Sequence, residues 1–129
     1  IWNDYFKFCF ERNPYDKIIS WYYWVNKSEP RRPLTEFIES GDALRIKGFD
    51  LYSRNSRIVV DRVFLFEELD TAMKQIGEIV GLPRSPQLPR AKTAHRKDKR
   101  THRDILDDSQ RDMISKAFAR EIAYFDYGW

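Results

Sequence analysis

One short segment near the start of the chain carries side chains suited to binding a phosphate group. Arg12 follows a run of aromatic residues, and Ser20 comes later in the same segment. A guanidinium can hold a phosphate through two parallel hydrogen bonds, and a hydroxyl can add another. Asn13 and Pro14 predict a helix that begins at Pro14, which places Ser20 about 9 Å further along its axis. The alternative is that Arg12 ends a strand in solvent and Ser20 is an ordinary surface residue.

Other kinds of reactive site find no support in the sequence. The five glycines have no spacing that matches a phosphate-cradling loop, and no G-x-S-x-G nucleophile elbow is present. His95 and His102 have no carboxylates arranged around them as a metal site requires. Cys9 is the single cysteine, which excludes an internal disulfide, and its place in a predicted strand favours a small buried side chain over a reactive thiol.

Length and composition predict a single domain over residues 1–129 with an unevenly distributed charge, and its alternating strands and helices make it an α/β domain. The chain is 42% hydrophobic, and it has nine Phe, seven Tyr and four Trp, so it needs a core. No apolar run approaches the roughly 20 residues of a membrane span. Residues 84–103 hold eight basic residues against one acid, while the rest of the chain is slightly acidic. This basic segment predicts a polyanionic ligand, and the alternative is a solvated run of charge.

Hydrophobic periodicity and capping residues predict strands and helices in alternation. Strands are expected over 5–10 and 59–66, and the stretch 42–58 is expected to be mostly irregular. One helix is expected from Pro14 to about Asn26, with an apolar face that includes Val25, and a short one over 33–40 up to Gly41. A third is expected from Glu67 or Glu68 to Val80, with a stop at Gly81. The last is expected from Asp107 or Asp108 through Ile122, with a capping box of Asp107 and Gln110 at its start. Strands separated by helices favour a parallel sheet. Two strands are few for an open sheet, so further strands would come from elsewhere, and a homodimer through the free edge is predicted.

The ordered motifs resemble those of the sulfotransferases. The string F-x-F-x-R-N-P-Y-D-K-x-x-S-W-Y over 8–22 is similar to the signature that binds the 3′-phosphate of 3′-phosphoadenylyl sulfate (PAPS), most closely in the carbohydrate or heparan-type branch. Residues 60–69 resemble the strand that ends in F-E-x-L, and 76–83 resemble the helix and G-L-P stop that follow it. Residues 123–127 are similar to the closing element, with Asp126 where Gly is usual.

The resemblance implies a partial P-loop-like, three-layer sulfotransferase fold with a short parallel sheet flanked by helices. It implies sulfuryl transfer from PAPS, which leaves adenosine 3′,5′-bisphosphate (PAP), to a hydroxyl or amine, with a carbohydrate as the expected acceptor. The residues implied for the cofactor are Arg12 and Ser20 at the 3′-phosphate and, in the basic segment 84–103, Lys92, Thr93, Arg96 and Arg100. Trp21, Tyr52 and Arg54 are candidates for the acceptor, although aromatic residues after Ser20 are also suited to core packing.

The resemblance covers the later part of the family's fold. The loop that cradles the 5′-phosphosulfate is expected upstream of Ile1, and the catalytic residue stays unassigned. The alternative function is a truncated or degenerate homologue that binds nucleotide or polyanion without catalysis. A nucleic-acid partner is not expected, because no known nucleic-acid motif is present. The single cysteine and the lack of a signal-peptide pattern predict a cytoplasmic, bacterial protein, or a Golgi-lumen protein if the chain is a fragment of a membrane-anchored relative.

Overall fold

A computed structural model of the protein describes residues 1–84, 86–88, 96 and 98–129. Within these residues, the strands and helices are, in chain order, β1 (Phe8–Glu11), α1 (Pro14–Val25), α2 (Leu34–Glu39), α3 (Phe49–Tyr52), β2 (Ser53–Arg54), β3 (Arg57–Ile58), β4 (Arg62–Leu65), α4 (Leu69–Ile79), α5 (His102–Ile105), α6 (Asp108–Ala117) and α7 (Ala119–Phe125). The chain forms two compact units, Ile1–Arg12 with Gly48–Ala91 and Asn13–Lys47 with Lys92–Trp129.

The first unit is built on a short parallel sheet. β1 and β4 pair in parallel from Phe8 opposite Arg62 to Glu11 opposite Leu65. An ion pair at the start of the ladder holds this register, since the Lys7 backbone N–H and ammonium each donate to the Asp61 carboxylate at 2.7 Å. These bonds from Lys7 lower the pKa of Asp61 below its usual value. A shift of one residue would break them and turn every side chain of the strand to the opposite face.

A small apolar cluster covers this sheet. Phe64 of β4 is buried with Ala72 and Ile76 of α4, which begins soon after β4 ends. The ring of Phe10 lies 5.7 Å from that of Phe64, so the two strands share one aromatic layer. The helix stops where predicted, because Gly81 takes the left-handed conformation with φ 71° that glycine adopts without steric cost.

The stretch 42–58, predicted to be mostly irregular, has more regular structure than expected. It contains a 3₁₀ helix over Asp42–Ile46, the short helix α3, and an antiparallel hairpin formed by β2 and β3. Asn55 and Ser56 at the tip of the hairpin both have positive φ, as a tight two-residue turn requires. Strands of two residues are too short to produce a periodic pattern, which is why the sequence did not indicate them.

The second unit is helical and contains the larger core. Its buried residues come from α1, α2, α6 and the segments next to the helices, and they form one cluster: Tyr15, Ile18, Ile19, Tyr22, Phe37, Ile38, Ala43, Leu106, Ile114 and Phe118. α1 begins as predicted, with the Asn13 side chain accepting a hydrogen bond from the Tyr15 backbone N–H and Pro14 at the first helical position. Val25, predicted on the apolar face, is exposed because it is the last residue of the helix.

The predicted final helix is divided in two at Phe118. The capping box of Asp107 and Gln110 starts α6 as predicted. Phe118 then leaves the helical conformation, with φ −111° and ψ 28°, and its fully buried ring joins the core before α7 begins at the next residue. The prediction of one continuous helix was therefore wrong, because core packing at Phe118 outweighs the local helical pattern.

These elements confirm a mixed α/β fold with helices and a short parallel sheet. Among the helices of the described residues, none has the length and apolar character needed to cross a membrane.

Candidate functional site

The carboxyl edge of the parallel sheet carries a positively charged group. β1 ends at Glu11 and β4 at Leu65, which pair with each other, so Arg12 and Phe66 both follow at the same edge. The Arg12 guanidinium carbon lies 4.8 Å from the centre of the Phe66 ring, a cation–π arrangement. Ligands of open parallel sheets bind beyond this edge. Arg12, which is half-buried, therefore lies at the edge of the sheet where its motif predicts phosphate binding.

A buried acid fixes the backbone just before Arg12. Glu11 is 1% exposed. Its Oε1 accepts a hydrogen bond of 2.9 Å from the Arg12 backbone N–H, and its Oε2 accepts one of 2.7 Å from the Tyr52 hydroxyl. Glu11 was not among the predicted site residues, because a charged residue at a strand end is ordinarily exposed and nothing local indicates a partner 41 residues away.

A second cluster of charged groups lies on α1 in the helical unit. Asp16 and Ser20 are four residues apart and so lie on one face of the helix, one turn from each other. The Asp16 carboxylate accepts from Arg96 Nη1 at 3.1 Å and contacts His102 Nδ1 at 3.3 Å. Arg96, predicted to bind the cofactor, is thus held on the face of α1 that carries Ser20.

Arg96 also organises the segment that leads to α5. Its Nε donates to the carbonyl oxygen of Asp98 at 2.9 Å, and its Nη2 donates to that of Arg100 at 2.7 Å. The Arg100 guanidinium in turn binds the Asp98 carboxylate, with Nη2 at 2.7 Å from Oδ2. Hydrogen bonds from the side chain and then the backbone of Arg100 lower the pKa of Asp98 to about 2. Arg96 and Arg100, both predicted for the cofactor, are therefore neighbours in one hydrogen-bonded turn.

The imidazole ring of His102, which belongs to this cluster, packs against two aromatic rings. Its ring stacks on Tyr15 at 5.4 Å between centroids and meets the Trp129 ring edge-on at 5.2 Å. Its Nε2 is buried and has no hydrogen-bond partner in the part of the chain that the structure describes. This role of His102 could not be predicted from the sequence, because its pairing with Asp16 joins segments that are 86 residues apart.

Comparison with known proteins gives the family. Residues 1–128 match the family model described as "Sulfotransferase family". This chain belongs to the sulfotransferase family. It is also similar to a protein of Archaeoglobus fulgidus described as an "Uncharacterized protein", with 31% identity over 88 residues that cover 64% of this chain and 73% of that protein. No solved structure matches the chain. Family membership indicates a transferase and agrees with the mixed α/β fold.

The remaining predicted site residues of this sulfotransferase family member occupy different surroundings. Arg12 belongs to the first unit and Ser20, half-buried on α1, to the second. Lys92 and Thr93 lie outside the described residues, so their predicted roles stay predictions.

The three acceptor candidates also differ in their surroundings. Trp21 is partly buried and packs against the core of the second unit. Tyr52 is buried with its hydroxyl on Glu11, and Arg54 is exposed on β2 of the first unit. Their roles at the acceptor stay predictions.

Proposed function

We propose that this sulfotransferase family member transfers a sulfuryl group from PAPS to a hydroxyl or amine acceptor on a carbohydrate. The observation that carries the proposal is the position of Arg12, at the carboxyl edge of β1 and β4 and over the Phe66 ring. Family membership over residues 1–128 supports the reaction class. The motif around Arg12 and Ser20 supports a nucleotide with a 3′-phosphate, and the basic segment supports a highly anionic cosubstrate.

The residues present fit such a nucleotide. A guanidinium stacked on an aromatic ring keeps its hydrogen-bond donors in one plane for bidentate binding of phosphate. We assign Arg12 to the 3′-phosphate, and the roles predicted for Ser20, Lys92, Thr93, Arg96 and Arg100 at the nucleotide stay predictions. Arg96 also has a structural role, because its Nε and both terminal nitrogens donate hydrogen bonds to the Asp16 carboxylate and two carbonyl oxygens. Bound PAPS supplies the activated sulfuryl group.

The chemistry asked of the protein is mainly positioning and charge stabilisation. Sulfuryl transfer resembles phosphoryl transfer, in which the group moves in line between two oxygens. The cationic side chains hold the donor in place and offset its negative charge, and this orientation supplies much of the acceleration. Of the three acceptor candidates, Trp21 has an aromatic face that suits a sugar ring and Arg54 has a guanidinium that suits an anionic glycan. Tyr52 is buried with its hydroxyl on Glu11, so it has no face open to a sugar.

The same proposal includes an oligomeric state and a cellular location. We propose a homodimer through the free edge of the short parallel sheet, since strands without partners favour association with another strand. Sedimentation at high protein concentration tests it, and a clean monomer would count against it. We also propose a cytoplasmic location, or the Golgi lumen for a membrane-anchored relative, which fractionation of cells that express the full gene tests.

Calorimetric titration tests the nucleotide site directly. PAP is titrated into the wild-type chain, with 5′-AMP as the ligand that lacks only the 3′-phosphate. The Arg12→Ala variant should lose about 1.5–3 kcal/mol of binding free energy for PAP, which is roughly 10- to 150-fold in Kd. Its affinity for 5′-AMP should change little. Arg57→Ala is the matched control, because Arg57 is an exposed arginine of the same unit on β3.

Two results would change the conclusion. Equal affinity of the wild type for PAP and 5′-AMP would remove the 3′-phosphate site and with it the proposed reaction. Tight PAP binding without any labelled product from radioactive PAPS and a panel of glycans would instead favour a homologue that binds the nucleotide without catalysis.

A further inference from the structure

We propose that Glu11 and Tyr52 are positioning residues that hold the backbone from which Arg12 reaches the phosphate. The inference rests on the proposed function, because it concerns how that phosphate site is kept in shape. Neither side chain is assigned to contact the nucleotide. They act through Arg12, and all three residues belong to the same compact unit.

Burial of Glu11 is the first observation. A carboxylate removed from water is costly unless hydrogen bonds compensate it, and an apolar side chain of similar size would fill the same space without that cost. The structure nevertheless keeps an acid that is 1% exposed at the last position of β1. One of its oxygens accepts a hydrogen bond from the next residue of the chain and the other accepts one from Tyr52, so the acid connects the end of β1 to α3.

The direction of the two bonds is the second observation. Glu11 Oε1 accepts from the Arg12 backbone N–H at 2.9 Å, which fixes the peptide group from which the arginine departs. Glu11 Oε2 accepts from the Tyr52 hydroxyl at 2.7 Å, which fixes the carboxylate itself. Tyr52 is buried at the end of α3, where its ring packs on Phe49 at 5.5 Å, so the donor has little freedom to move.

The far end of the arginine is held as well. Its guanidinium lies over Phe66, directly after β4. The backbone of Arg12 is thus fixed from one side and its charged end from the other. A long side chain loses considerable conformational entropy when it binds a ligand, and holding it beforehand reduces that loss. Tyr52 then contributes to phosphate affinity through Glu11, which is a different role from direct contact with the acceptor.

The test measures the ratio of Kd for 5′-AMP to Kd for PAP, which reports the 3′-phosphate contact alone. Tyr52→Phe removes one oxygen and should lower the ratio about tenfold, because a misplaced group loses much of its interaction. Glu11→Gln keeps an oxygen that accepts from the Arg12 N–H and should keep the ratio within about twofold. The double variant Glu11→Met with Tyr52→Phe removes the carboxylate and the hydroxyl together, so neither is left buried without the other, while the part-buried Arg12 N–H loses its acceptor. It should fold and still lose about tenfold in the ratio.

Two further variants separate positioning from general stability. Tyr22→Phe deletes a buried hydroxyl that donates to the Arg32 carbonyl at 2.6 Å in the other unit, and the ratio should not change. In an Arg12→Ala background, Tyr52→Phe should cause no additional loss, because its effect passes through Arg12.

The possible results separate a failure of the positioning role from a failure of the proposed function. A double variant that melts like the wild type and keeps its ratio would overturn the positioning role, as would an additional loss in the Arg12→Ala background. If Tyr52→Phe alone does not fold, the double variant decides. A wild-type chain with no preference for PAP would overturn the proposed function itself and this inference with it, and that failure is visible before any variant is made.

Discussion

Replacing Asp16 by asparagine should destabilise the helical unit by about 2 kcal/mol. Asp16 lies in the first turn of α1, where a negative charge interacts favourably with the helix dipole at about 0.3–1 kcal/mol. Its carboxylate also binds the guanidinium of Arg96 and the imidazole of His102, at 3.1 and 3.3 Å. Asparagine keeps one acceptor oxygen but turns an amide N–H₂ towards the other donor.

The magnitude follows from the exposure of the three side chains. They are 29% exposed for Asp16, 19% for Arg96 and 14% for His102. Such partly screened, charge-assisted bonds are worth about 0.5–1 kcal/mol each, between the values for exposed pairs and for buried ones. Together with the helix dipole, the loss is about 2 kcal/mol, which lowers the melting temperature of a chain of this length by roughly 6–10 °C.

Thermal unfolding followed by far-ultraviolet circular dichroism measures this shift. Asp108→Asn is the matched control, because Asp108 also lies in the first turn of a helix and pairs with an arginine but is 88% exposed. It should show less than half the effect. An Asp16→Asn variant that melts within about 2 °C of the wild type would refute the reasoning, since it would mean that the two contacts contribute nothing net.

Two further predictions concern the surface. Asp126 ends α7 in the left-handed conformation, with φ 53°, so Asp126→Gly should stabilise the chain by about 0.5–1 kcal/mol in urea unfolding, and a destabilised variant would contradict this. The Asp98 carboxyl should titrate at about 2 in carbon NMR, because Arg100 favours its charged form. This pKa is depressed in the folded state, so its contribution to stability is present above about pH 4 and is lost as the pH falls through about 2. A carboxyl that titrates near its usual value would show that the pair with Arg100 does not persist in solution.

Local signals predicted the helix boundaries well. The Asn13 cap, the Asp107–Gln110 box and the stop at Gly81 all lie where the sequence places them. Each depends on hydrogen bonds or backbone angles within a few residues, so the information is contained in the neighbouring sequence. The two-residue strands β2 and β3 and the four-residue helices α3 and α5 were not predicted, because a hydrophobic period cannot be recognised in isolated segments this short.

Packing decided what local signals could not. Phe118 is a good candidate for the middle of a helix, and yet the chain bends there so that its ring is fully buried. The energy of burying an aromatic side chain, about 1.5–3 kcal/mol, exceeds the small differences in helix propensity between residues. The local sequence predicts a helix that continues through Phe118, and only the packing of the core determines that the helix is interrupted there.

The sequence by itself indicated the family and the place of Arg12 directly after the first strand. The family model matches almost the whole chain, and Arg12 follows β1 as its motif requires. Only the tertiary structure decided what surrounds that residue. The bond from Tyr52 to Glu11 spans 41 residues and the bond from Arg96 to Asp16 spans 80. Such contacts depend on how distant segments pack together, and no pattern of neighbouring residues specifies them.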